Sequence, residues 1–200
     1  ARHQPGHRLV AKWAGSGAFV LPAQGPARHV VDAAVPDAPL VAEALAAGPE
    51  FDAGPWLADL PADGDVADPD GSPVPLPARF EDGPALAGWT LSSRAVGPGD
   101  SLTLVTYWQM EEPISPPLAA FVHLLGPDGQ AVTQWDGWPV ATQGLETGDV
   151  VVLSHPLVLP PDAAAGSLVV QVGLYRPPHG PRLPVAGSDR LILGEVVVGR

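Results

Sequence analysis

The chain has 200 residues, 46% of them apolar, and its 22 acidic side chains against ten Lys and Arg leave a net charge of −12. That balance excludes a nucleic-acid phosphate backbone as ligand, which needs clustered cations, and disfavours an anionic membrane surface. The absence of cysteine excludes disulfides, thiolate nucleophiles and Cys-ligated metal centres.

The first block, residues 1–48, reads as a small α/β segment. Short strands are expected at 8–13, 17–21 and 28–32. Asp37 then stands as a helix N-cap ahead of Leu40, Val41, Ala44 and Leu45, which recur at helical spacing, and Gly48 follows as a stop. The spacing predicts one helix over 38–47. No run of about 18 apolar residues occurs, so no membrane span is expected. The chain opens on Ala1 with no charged-then-apolar leader, and we read it as a piece of a longer protein.

Residues 49–79 read as an acidic, Pro/Gly-rich linker or loop. Within it, Asp63, Asp65, Asp68 and Asp70 alternate with Gly and Pro, a composition that buries too little apolar surface to offset its ordering entropy.

Residues 80–200 carry a different pattern. Strands are expected at 79–82, 87–95, 101–110, 118–125, 130–135, 149–159, 167–176, 182–185 and 190–198. Over 101–110, Leu102, Leu104, Thr106 and Trp108 share one face; over 167–176, Leu168, Val170, Val172 and Leu174 do. Gly126-Pro127-Asp128-Gly129 is a hairpin turn. No helical stretch interrupts the block, which argues against parallel crossovers. The fold class expected is mostly β: an antiparallel β-sandwich, jelly-roll or Ig-like.

In this block the segments Phe80 to Leu91, Pro98-Gly99-Asp100 with Tyr107-Trp108, Phe121-Val122-His123-Leu124-Leu125, Gln134-Trp135-Asp136, Val172-Gly173-Leu174-Tyr175 and Arg182-Leu183-Pro184 follow in order. That ordered set resembles the C-terminal extracytoplasmic domain of bacterial membrane glycosyltransferases, the polyprenyl-phosphate-sugar-dependent enzymes similar to aminoarabinose and protein mannosyl transferases. One departure is visible: such domains tend to have Trp ahead of Gly-Asp, where this chain has Leu145-Glu146-Thr147-Gly148-Asp149. The resemblance implies a non-catalytic accessory domain, extracytoplasmic and tethered to the membrane through an upstream region. Glycan or the parent's membrane domain would be its partner, with no cofactor and no catalytic residue of its own.

Candidate binding residues follow from chemistry. His123 lies mid-strand, with Gln134 or Asp136 on the next strand as possible partners; a buried, hydrogen-bonded His is the commoner role. Trp89, Trp135 and Trp138 could stack on a pyranose if exposed, with Asp136 and Gln134 bonding its hydroxyls, or could fill the core. Trp138, in the turn-like Asp136-Gly137-Trp138-Pro139, is expected to be the most exposed. No paired metal-ligand spacing exists, and the Asp63 and Asp68 registers both fail the EF-hand pattern. Gly15-Ser16-Gly17 lacks the frame of a nucleophile elbow. Glu111, Glu112 and Asp136 would serve a glycosidase only at about 5–10 Å across a cleft. The rival to an accessory domain is a free-standing carbohydrate-binding or adhesion module.

Overall fold

Alternation along β7 (Ser101–Gln109) sets the architecture. Leu102, Leu104, Thr106 and Trp108 are buried on one side, while Thr103, Val105, Tyr107 and Gln109 face the other. A strand with such a face must bury it against a second layer. The computed structural model describes residues 18–21, 60–140, 142 and 145–199, and among them all regular structure is β, in two sheets.

The first sheet holds β1 (Ala18–Leu21), β10 (Val150–Val158), β7, β5 (Ala85–Leu91) and β4 (Ala78–Arg79), in that lateral order. The second holds β3 (Pro73–Val74), β2 (Val66–Ala67), β12 (Leu191–Val198), β11 (Gly166–Tyr175), β8 (Ala119–Leu125) and β9 (Ala131–Gly137), with β6 (Ala95–Val96) beside β12. Every ladder is antiparallel except the β6–β12 pair. From β2 onward the chain crosses between sheets after β3, β5, β6, β7, β9 and β10. Their facing sides meet in one core, where Leu104, Trp108 and Leu153 of the first sheet join Val122, Leu124, Val170 and Leu191 of the second. Full burial of a Leu or Val side chain contributes about 1.5–3 kcal/mol, so this core supplies the main drive to fold.

The hairpin joining β8 to β9 forms at the expected turn. Gly126 N–H donates to Gln130 O at 2.9 Å, and Gly129 takes φ 75°, a conformation glycine reaches without steric cost. The strand expected over 87–95 is instead two, β5 and β6. β5 also carries a bulge beside Gly88, where a Cβ would meet Pro61 O at 2.5 Å. Glycine there admits the 60–61 segment, and Trp89 N–H donates to Pro61 O at 2.9 Å. The stretch 182–185 makes only isolated bridges, Arg182 with Tyr175 and Val185 with Phe80 and Ser188.

The described part of the expected linker, residues 60–79, is not a free loop. It supplies β2, β3 and β4 to the two sheets, and Val66 and Ala78 are buried. Asp68 Oδ1 accepts from the N–H groups of Asp70 and Ser72, the behaviour of an aspartate that shapes a turn. The helix expected over 38–47, the strands at 8–13 and 28–32, and Ser16 lie outside the described residues. No helix of the described residues is long and apolar enough to cross a membrane.

Candidate functional site

The outward face of the second sheet gathers polar and aromatic side chains from four segments. On β8, Phe121 and His123 point away from the core. Register places His123 opposite Gln134 of β9 and Gln171 of β11, and Phe121 opposite Asp136 and Gly173. The 176–190 connection then lays Arg182 over the Phe121 ring, its guanidinium carbon 4.3 Å from the centroid. Gly173 makes room for that ring, since a Cβ there would fall 2.3 Å from Phe121 Cζ. Phe121 is thus buried on the outer side of a sheet, between a bare backbone and a cation.

His123 is half-buried, and its Nδ1 lies 2.8 Å from Gln171 Nε2. With the amide nitrogen as donor, Nδ1 accepts and the ring proton sits on Nε2. Burial lowers the His123 pKa; Asp136 opposes that shift and Arg182 adds to it. The imidazole is therefore neutral at pH 7 and offers one N–H. Tyr175 closes the group. Partial burial raises its pKa, and the nearby Asp136 carboxylate, accepting the phenol's hydrogen bond, raises it further. Asp189 binds Arg182 at 3.2 Å and Arg190 at 2.6 Å; partial burial pushes its pKa up, but the two arginines outweigh that and hold it below the ordinary value. The face thus presents an exposed carboxylate, a phenol, an imidazole N–H and a paired guanidinium.

The four residues singled out from sequence divide between the two sides of this sheet. His123 and Asp136 share the outward face. Trp135, opposite the buried Val122, points into the sandwich, its ring 4.3 Å edge-on from His155 of β10. Trp138 is not the exposed ring its turn-like context predicts. It is half-buried, packs edge-on at 6.2 Å against Trp108, and has its Nε1 shielded from solvent. Trp89 is fully buried. Sequence reasoning did not single out Tyr175, Gln171 or Arg182 as site residues. Tyr175 and Arg182 lay within the strings that carry the resemblance, and the signal that could have found Gln171 is its polar side chain in an otherwise apolar strand.

The carboxylates considered for hydrolysis each have different surroundings. Glu111 pairs with Arg79 at 2.9 Å, Glu112 lines a cleft at one end of the sandwich, and Asp136 lies with Tyr175. The described residues contain no group of three or more His, Cys, Asp or Glu side chains placed to hold a metal ion.

No protein-family model matches the chain, and no curated protein matches it.

Proposed function

We propose that this chain is a non-catalytic accessory domain of an extracytoplasmic, membrane-tethered glycosyltransferase, and that it positions glycan with the outward face of β8, β9 and β11. The observation that carries this reading is the convergence of His123, Asp136, Tyr175 and Arg182, drawn from four separate segments. A carboxylate, a phenol and an imidazole N–H are the donors and acceptors that vicinal sugar hydroxyls require, and Tyr175 adds an aromatic edge. The resemblance of the 80–200 block supplies the glycosyltransferase context. The passage of the chain from sheet to sheet after β7, β9 and β10 favours the jelly-roll over the Ig-like description.

The test is glycan binding by this chain at pH 7, read on an array and quantified by calorimetry. Asp136→Asn and Tyr175→Phe should each weaken the best ligand about tenfold, the loss of one hydrogen bond to a charged or buried partner. Binding untouched by both variants, or a blank array with a folded protein, refutes the reading. A free-standing carbohydrate-binding module would use the same face, and a gene without upstream membrane spans would favour it.

A further inference from the structure

A second candidate site is lined by none of the residues of the outward-face group, although its Arg176 directly follows Tyr175. Where the connection before β8 meets the turn before β5, a cleft of about 450 Å³ opens, lined by Asp82, Glu112, Pro113, Ser115, Pro116 and Arg176 among others. That volume lies within the range of small-molecule sites. Its walls are braced by Arg176, whose guanidinium donates to the carbonyls of Ser115, of Pro117 at 3.1 Å and of Asp82 at 2.6 Å. One side chain therefore ties three chain segments into a fixed rim, and its charge is directed at backbone oxygens. Asp82, Glu112 and Ser115 are exposed residues of its lining, and the two carboxylates take part in none of the ion pairs or hydrogen bonds found among the described residues. The lining thus holds two carboxylates and a hydroxyl, with Pro113, Ile114 and Pro116 as its apolar element.

We infer that this cleft binds one neutral sugar unit, its vicinal hydroxyls donating to the Asp82 and Glu112 carboxylates and its ring lying against the prolines. The acceptor excess rejects anionic sugars by like-charge repulsion. The unit can be a free monosaccharide or the end of a longer glycan.

The probes are methyl α-mannopyranoside, methyl β-glucopyranoside, glucuronate and a linear mannotriose, titrated into the full chain and followed by amide chemical shifts. A neutral probe should give saturable shifts at residues 82–83, 112–116 and 176, while glucuronate gives none. Glu112→Gln, an exposed change that leaves the fold intact, should weaken that binding about tenfold. Asp136→Asn, on the outward face, should leave it unchanged, which separates failure here from failure of the glycan-positioning face. Tighter binding of the trisaccharide at the same residues identifies a glycan end as the ligand, and equal binding a free sugar. The inference is overturned by no shifts at residues 82–83, 112–116 and 176, whatever the outward face does, by glucuronate binding there equally well, or by Glu112→Gln without effect.

Discussion

His155 is a titratable group sealed in the middle of the core, and acid should unfold the protein through it. The ring is fully buried on the inner side of β10, its Nε2 2.7 Å from Thr106 Oγ1. That hydroxyl already accepts from Trp108 Nε1 at 2.7 Å, and His155 Nδ1 has no hydrogen-bond partner among the described residues. Trp135 stands edge-on to it from the opposite sheet. A protonated ring would need two acceptors and finds at most one, in surroundings that solvate charge poorly. Burial accordingly drops its pKa from 6.5 to about 3.

The sign follows from linkage. Between those two values the unfolded chain holds a proton that the folded one refuses, so stability is intact above the unfolded pKa and is lost as pH falls toward the folded one. A shift from 6.5 to about 3 costs roughly 2 kcal/mol on going from pH 7 to 5, and about 3 at pH 4. A loss of that size is a large part of the net stability of an ordinary domain. The assay is urea unfolding at a series of pH values for the native chain and for His155→Gln, whose amide nitrogen can still meet Thr106. Other groups titrate in both proteins, so the difference between the two curves isolates His155. The variant should start less stable and lose about 2 kcal/mol less than the native chain between pH 7 and 5. Parallel curves would refute the reasoning.

Three further outcomes are expected. Gly173→Ala should destabilise by about 1–3 kcal/mol, because its Cβ would overlap the Phe121 ring held beneath Arg182; thermal unfolding measures this. Trp138→Ala should lower stability by up to about 3 kcal/mol through its lost packing on Trp108, while leaving glycan affinity unchanged in the binding assay. Arg182→Gln should raise the pKa of His123 and Asp136→Asn should lower it, since the two charges act on that ring with opposite sign; imidazole proton shifts followed through a pH titration show both directions.

The sandwich was legible because burial in a strand is a local property. Leu102, Leu104, Thr106 and Trp108 declare their shared side by a period of two, whatever lies opposite. The same rule separates Trp135 from Asp136. As neighbours in one strand they cannot face one ligand together, and the structure sends the ring inward and the carboxylate out. The rule misleads at Trp138, which alternation would turn outward. Gly137, at φ 154°, redirects the chain there and the indole returns to the core against Trp108. Composition misled at residues 60–79 for a related reason. Four aspartates describe the average of a segment, while Val66, Val74, Leu76 and Ala78 pack it against the core.

The candidate site was legible only in fragments, and the cause is geometric. His123 and Gln134 face each other because a short turn fixes the β8–β9 register, so a reader of the sequence can pair them. Tyr175, Gln171 and Arg182 reach the same face through contacts of long sequence separation. β11 joins β8 only after the chain has left for β10 and returned. Arg182 arrives because Gly173 leaves space for Phe121 beneath it, a fact about a missing Cβ that no pattern of hydrophobicity records. Sites assembled in this way carry their information in register and in steric vacancy. Polar residues standing in otherwise apolar strands, as Gln171 does in β11, are the local trace that such an assembly leaves, because each must find a partner where it is buried.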